Sequence, residues 1–259
     1  MGSTADRVLG VLELFSGDKS EWTVEEAAEA LNLPVSTAYR YFRSLATSDL
    51  IVSYTAGRYV LGPAIIQLDR QLRLHDPFIT AAKPEMINLA SEVGGDTVVL
   101  LARLYLDKVI CVHQEEIGQL PGDVSYQRGR PMPLDRGAAS KVILANISAK
   151  AMRKLSNGAS GLEIDPALRA QLRQIRQQGF AITEAEVDEG KRGLAVPVFR
   201  PDQSLEGSLS LVVEGSRGGK ADLIAALINT RKAIEATLAI RASMLVNAAS
   251  SKSSAEEQA

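Results

Sequence analysis

The chain has 259 residues, 46% of them hydrophobic and 23% charged, with a formal net charge of −2; this suits one or two globular cores and excludes a disordered, collagenous or membrane-embedded class. Its longest apolar runs, 98–102 and 223–228, fall far short of the roughly 18 residues a spanning helix needs, and the start Met1–Arg7 lacks a basic-then-apolar leader pattern, so the chain is expected in the cytoplasm. A single cysteine, Cys111, and two histidines, His75 and His113, exclude an internal disulfide framework and a multi-thiolate metal site, and they leave little material for acid–base catalysis.

Charge is unevenly spread. Between Asp6 and Leu33 seven acidic residues face two basic ones, whereas between Pro34 and Leu74 five arginines face two aspartates, so positive charge gathers where phosphate could be met. Val8, Leu9, Val11, Leu12, Leu14 and Phe15 share one helical face, and Gly17 stops that helix near Ser16. Thr23 and Glu26 make a Thr-x-x-Glu capping box for a second helix, whose apolar stripe is Val24, Ala27, Ala28 and Leu31. Asn32 supplies a left-handed turn residue, Leu33 an apolar plug and Pro34 the exit. The spacing Val35, Ala38, Tyr41, Phe42, Leu45 predicts a third helix. Two β-prone runs, Ile51–Tyr54 and Arg58–Leu61, joined by Thr55-Ala56-Gly57, predict a hairpin, and a helix–turn–helix followed by a hairpin is a winged helix. Gly62-Pro63 then opens an amphipathic helix (Ile65, Ile66, Leu68, Leu72) that lasts to the breaker Asp76-Pro77.

Beyond this linker, helix and strand alternate. A helix broken at Pro84 and ended by Gly94-Gly95 precedes strands near 97–104 and 108–114. Residues 129–135, with Pro131 and Pro133, predict a stiff loop, and 137–145 and 148–155 predict short helices. Asp165-Pro166 is an N-cap with proline at the first helical position, opening a helix that ends at Gln178-Gly179. Strands near 180–183, 193–199 and 208–214 follow, then a long helix from Lys220 to about Asn247. The tail from Ser250 has no apolar surface to bury and is expected to be disordered. The boundaries are therefore placed at 1–62, 63–76, 77–249 and 250–259.

The helix–turn–helix carries the strongest functional signal. Ser36 and Thr37 can donate to phosphates or base edges, Arg40 can fork onto guanine O6 and N7, and Tyr39 can meet a thymine methyl or a phosphate. Arg43 and the wing residue Arg58 suit phosphate neutralisation, although each arginine alone also reads as a solvated surface charge. Cys111 and His113, two apart on one strand, share a face; with no third ligand for a catalytic zinc, core or pocket lining is the better reading. Ser140-Lys141 has the letters of a hydrolytic dyad, but adjacent helical residues do not face each other, which leaves helix surface or pocket wall. There is no Gly-x-Ser-x-Gly elbow and no Gly-x-Gly-x-x-Gly fingerprint, so Gly190, Gly193 and Gly207 read as turn and strand-end glycines. No catalytic residue, metal or cofactor is expected.

The stretches Leu33–Arg40 (LPVSTAYR), Gly57–Pro63 (GRYVLGP), Gly129–Lys141 (GRPMPLDRGAASK), Gly190–Val198 (GKRGLAVPV) and Gly207–Val213 (GSLSLVV) resemble the IclR family of bacterial transcriptional regulators over nearly the whole chain. The resemblance implies an α+β two-domain fold: an N-terminal winged helix-turn-helix, a linker helix and a C-terminal GAF-like α/β effector-binding domain, in dimers that often pair into tetramers. It implies no catalysed reaction. In family members that bind small oxo-acids, the effector contacts a Gly-Ala pair after the stiff loop, an acidic residue, a cysteine and two serines. The matching positions here are Gly137-Ala138, Thr183, Gly193, Ser210 and Val212. Lacking the acid, the thiol and one hydroxyl, this pocket is expected to be roomier and less polar, for a larger ligand with an apolar or aromatic body. Arg136 or Lys191 could pair a carboxylate, or either could be a surface charge.

These expectations describe a ligand-responsive DNA-binding regulator, a repressor of a catabolic operon. Its partners would be double-stranded operator DNA, a small organic acid or aromatic effector and further copies of itself, with no membrane. The alternative is a small-molecule-binding sensor or enzyme whose winged helix serves protein contacts, with turnover at the face carrying Cys111 and His113.

Overall fold

Ser3 and Asp6 close a reciprocal cap over the first turn of α1 (Thr4–Glu13), which tightens into a 3-10 turn over Leu14–Ser16. The Thr23–Glu26 box does the same for α2 (Val24–Ala30): Glu26 N donates to Thr23 Oγ1 at 3.1 Å, and Thr23 N donates to Glu26 Oε2 at 2.9 Å. Asn32 adopts φ 51° as its turn requires, and Leu33 N donates back to Ala28 O at 2.8 Å. In α3 (Val35–Thr47), Ala38, Tyr41, Phe42 and Leu45 close a small core with Val11, Phe15, Ala27, Ala28 and Ile51. The hairpin β1 (Ile51–Thr55) and β2 (Arg58–Leu61) gains a third edge, because Trp22 and Tyr59 exchange backbone hydrogen bonds at 3.0 and 2.9 Å. Then α4 (Pro63–His75) begins hard against the end of α3: a Cβ on Gly62 would stand 2.1 Å from the Asp49 carbonyl oxygen. No side chain of α4 is buried.

The computed structural model describes residues 3–17, 19–120, 124–156 and 162–256, and the chain divides into two units between Asp76 and Pro77. The second unit opens with α5 (Pro77–Val93), which runs through Pro84 where a break was predicted. Proline removes one N–H from the helix ladder, but Phe78, Ala82, Met86 and Leu89 are buried on both sides of it and hold the helix together. Strands β3 (Thr97–Tyr105), β4 (Lys108–Ile117) and β5 (Pro131–Met132) follow, then helices α6 (Ala138–Asn146), α7 (Ala149–Ser156) and α8 (Pro166–Gln178). Strands β6 (Ala181–Glu184), β7 (Lys191–Phe199) and β8 (Leu205–Glu214) lead into α9 (Lys220–Glu256). β5 lies in the predicted stiff loop, where Pro131 and Met132 pair with Ile110 and Val109. α9 continues past Asn247 through the segment expected to be disordered, which contains no glycine or proline to stop it; residues 257–259 lie outside the described residues. Among the described residues, no helix is long and apolar enough to cross a membrane.

The six strands are ordered β5-β4-β3-β8-β7-β6, every neighbour antiparallel. Period-two alternation divides their side chains between two cores. Val99 and Leu101 of β3, Leu194, Val196 and Val198 of β7, and Leu209, Leu211 and Val213 of β8 pack with α5 and α9. The other face presents smaller groups toward α6, including Gly193 and Ala195 of β7 and Ser208, Ser210 and Val212 of β8. Large residues thus fill one side of the sheet and leave room on the other. The α+β two-domain fold expected from the sequence is the fold observed.

Gly207 is needed where β8 crosses β3, since a Cβ there would lie 2.1 Å from the Ala102 carbonyl oxygen and 2.8 Å from the Phe78 ring. Gly207→Ala is expected to cost about 3 kcal/mol, the upper end of the overpacking range. Urea unfolding checks this; a loss below about 0.5 kcal/mol, typical of an ordinary surface change, would contradict the contact.

Candidate functional site

Two sites are built, one in each unit. In the first, burial of Ala38, Tyr41, Phe42 and Leu45 turns the opposite face of α3 outward. Ser36, Tyr39, Arg40 and Arg43 are exposed there and Thr37 is half-buried. No side chain caps α3; Thr37 N donates to Pro34 O at 2.9 Å, which leaves the N–H groups of Val35 and Ser36 and the helix dipole to meet an anion. Arg58 is arranged differently from a free phosphate neutraliser: Nη1 donates to Glu21 Oε1 at 3.1 Å, tying the wing to the segment before α2 and offsetting its charge. Tyr54, 78% exposed near the wing tip, escaped the sequence reading, because a strand aromatic carries no letter-level sign of pointing outward.

The second site is a cavity of about 380 Å³, its open mouth included, between α6 and the small-residue face of the sheet. Gly137, Ala138, Thr183, Lys191, Gly193, Ser210 and Val212 all line it. Arg136 does not: it is exposed, and its carbonyl accepts from the Tyr126 hydroxyl at 3.2 Å. The expectation of a roomy pocket is corrected. The space inside that a water molecule can occupy is only about 30 Å³, far below the usual ligand range of about 300–1,000 Å³, and the β6–β7 connection folds Glu186, Val187 and Asp188 into the lining. The acid absent at Thr183 arrives three residues later from this loop.

Glu186 joins the β6–β7 connection to α6. Its Oε2 accepts from Gly137 N at 3.1 Å, and its Oε1 accepts from Lys141 Nζ at 2.6 Å. Gly137 sits at φ 79°, and a Cβ there would press to 3.0 Å against Tyr126 and Val187. Beside it, Tyr126 and Ser140 share a hydrogen bond of 2.6 Å, and burial pushes the phenol up to about 12. Asp188 accepts from the Ser125 amide and hydroxyl, pinning the loop at a second point. Ser210 Oγ is buried with no hydrogen-bond partner, as is Ser208 Oγ. Ser140 and Lys141 are therefore buried and separately engaged rather than a dyad. Lys141 was readable in principle, because a side chain four residues beyond a helix start leans back over that first turn.

The Cys111–His113 pair is dismantled by a bulge. Leu101 pairs with His113 and Ala102 with Cys111, which leaves Val112 unmatched. Cross-strand partners share a face, so the extra residue sends Cys111 to the α6 core with Ala102 and His113 to the side of Leu101. His113 Nε2 lies 2.8 Å from Glu115 Oε1. The Cys111 thiol donates to the His113 carbonyl at 3.2 Å, and burial pushes it from 9.0 up to about 12. Among the described residues, no three His, Cys, Asp or Glu side chains cluster as a metal site.

Comparison with known proteins agrees with this two-domain architecture. Residues 4–53 match the profile of the IclR helix-turn-helix domain, and residues 74–236 match that of the bacterial transcriptional regulator IclR C-terminal domain. The chain is 26% identical over 229 residues to the HTH-type transcriptional regulator XynR of Escherichia coli (strain K12), covering 85% of this chain and 89% of that one. It is 23% identical over 235 residues to the Pca regulon regulatory protein of Pseudomonas putida, covering 84% and 76%. Among solved structures, an IclR-type transcriptional regulator from Alicyclobacillus acidocaldarius superposes with a TM-score of 0.71 at 26% identity, covering 92% of this chain and 99% of that one. An IclR homologue from Microbacterium hydrocarbonoxydans, complexed with 4-hydroxybenzoate, gives 0.70 at 20% identity, covering 91% and 99%.

The buried thiol generates a prediction. At about pH 8 native Cys111 is expected to resist Ellman's reagent and to react promptly once the chain is denatured. Because the folded thiol holds its proton more tightly than the unfolded one, stability contributed by this group is intact below pH 9 and declines as the pH rises toward 12. Thiol titration and urea midpoints across that range check both parts; a native thiol as reactive as the denatured one would refute them.

Proposed function

Because the chain belongs to the IclR family of bacterial transcriptional regulators, we propose that its first unit reads operator DNA through α3 and that its second sets that affinity through a carboxylate-bearing effector held over α6. The protein is a ligand-responsive DNA-binding transcriptional regulator, and the curated relatives it matches are named as regulators rather than enzymes. The observation that carries the effector reading is the convergence of Gly137, Ala138, Thr183, Lys191, Gly193, Ser210 and Val212, drawn from four separate elements and loops, on one cavity.

In this reading Ser36 and Thr37 meet phosphates or base edges, Tyr39 meets a thymine methyl or a phosphate, and Arg40 reads guanine; Arg43 neutralises backbone phosphate, as does Arg58 to the extent that Glu21 releases it. The protein works in the cytoplasm as a homodimer, or a pair of dimers, and places two α3 helices in successive major grooves about 34–36 Å apart on a near-palindromic operator. The exposed Ile66, Leu68, Leu72 and Leu74 of α4 support self-association. The protein represses by binding the operator when ligand-free, and the effector releases it. That release requires the effector to prefer the arrangement with weak DNA affinity, since equal affinity for both would shift nothing. An aromatic monocarboxylate suits the cavity's apolar walls, Leu100, Val187 and Val212, together with its cationic Lys191. The 4-hydroxybenzoate held by the Microbacterium homologue supports the same class.

The test is binding to DNA upstream of the protein's own gene, at two salt concentrations, with and without a panel of aromatic and aliphatic acids. Specific, salt-sensitive binding weakened by one acid is expected. Arg40→Ala is expected to lose about 1–3 kcal/mol of specific affinity, the worth of one bidentate base contact, while effector binding is retained. Arg58→Ala is expected to lose less, since Glu21 already offsets that charge. Undiminished operator affinity in Arg40→Ala would remove Arg40 from base reading, and binding no better than to random DNA would return the winged helix to protein contacts.

A further inference from the structure

The effector cavity already contains an anion, and it belongs to the chain. Lys141 sits in the first turn of α6 with its side chain only 10% exposed. A buried ammonium without a counter-charge is costly, and the start of a helix adds its own preference for negative charge. Both demands are met by one carboxylate: Glu186 takes Lys141 Nζ on one oxygen at 2.6 Å and Gly137 N–H on the other at 3.1 Å. Two donors converging on the two oxygens of a single carboxylate is the geometry expected for a bound carboxylic acid.

The two partners differ in freedom. Lys141 is fixed in a helix whose residues 138–145 are all buried. Glu186 lies on the 185–190 connection, and its side chain is 33% exposed. That connection is closed by Ala185 N donating to Lys191 O at 2.9 Å and held by Gly215 N donating to Gly190 O at 2.8 Å. Rotation about the Glu186 side-chain bonds can therefore carry its carboxylate into water while the loop backbone stays in place. Of the two, the anion is the partner with room to move. A second feature of the same cavity also points to a ligand: Ser210, 2% exposed and facing α6 from β8, keeps a hydroxyl with no partner. Buried hydroxyls are ordinarily satisfied, and this one is placed to meet a polar atom of whatever enters.

We propose that Glu186 occupies the effector's carboxylate subsite as an internal stand-in, and that a monocarboxylate effector binds by displacing it from Gly137 N–H and Lys141 Nζ. This rests on the effector-pocket reading above and adds a selection rule to it. Exchanging one carboxylate for another leaves the charge of the site unchanged, whereas a neutral ligand of the same shape would strand Lys141. The displaced glutamate also sets a threshold, because a competitor tethered on the same chain acts at high effective concentration. If the subsite is free in about one molecule in ten, the apparent affinity falls about tenfold below the intrinsic one.

The full-length protein is titrated calorimetrically with benzoate and with its neutral analogue benzamide, as wild type and as Glu186→Gln, which keeps the size of the side chain and removes its charge. Benzoate is expected to bind Glu186→Gln at least about tenfold more tightly than wild type, with benzamide unchanged between the two. If Glu186→Gln is unfolded alone, benzoate and not benzamide is expected to restore its cooperative unfolding transition. The proposal is overturned if benzoate binds the folded variant no better than wild type or not at all, or if an unfolded variant is rescued by neither compound or by both alike. Wild-type operator binding is followed in parallel with a panel that includes non-carboxylates. Operator binding tuned by a neutral compound would keep the regulator and discard the displaced glutamate.

Discussion

A charged amine held out of water must have a counter-charge within reach, and Lys141 makes that the organising demand of the second unit. Its position one turn into α6 requires the chain at Gly137 to turn through a positive φ with almost no room beside Tyr126. It draws in the β6–β7 connection to deliver Glu186, and Asp188 then anchors that connection to Ser125. The hydroxyls of Tyr126 and Ser140 satisfy each other, so the neighbouring polar groups do not compete for the ammonium. Remove the lysine, and the loop, the tight turn and the small residues beneath them lose their common reason.

The division of labour between the faces of the sheet gives that demand its setting. On the α5 and α9 side, leucine and valine interlock into a core too dense to admit a ligand. On the α6 side, the same strands carry glycine, alanine and serine, which leave space and hydroxyl groups where the bulkier face has none. One alternating pattern thus builds the support and the cavity together, and the cavity inherits the rigidity of the wall behind it. A change in how α6 meets the sheet is consequently a change in the pocket itself.

The first unit was legible almost residue by residue because its signals are short. Thr23 with Glu26, Asn32 in its turn, and Pro63 after Gly62 act within three or four positions, and each does what its letters imply. The second unit resisted wherever the deciding partner is distant. The break expected at Pro84 depends on local backbone chemistry and is overridden by burial on both sides of it. The shared face of Cys111 and His113 assumed an unbroken ladder, and one unmatched residue, Val112, undoes it. Lys141 and Glu186 are 45 positions apart, as Arg58 and Glu21 are 37 apart, so their pairing is a product of the fold and not of spacing. The cavity wall, carried by motif-like stretches, could be assembled from sequence; the ion pair inside it could not.

The junction at Gly62 has a mechanical consequence. Gly62 N donates to Leu50 O at 2.8 Å and Ala64 N to Asp49 O at 3.2 Å, so the root of α4 is clamped to the residues that end α3 and begin the wing. Held by these two bonds, α4 cannot turn about its root without carrying Asp49 and Leu50 with it. At its far end the helix stops at Asp76, where the backbone turns to ψ 120°, so the junction that ties α4 to its own unit is the one at Gly62.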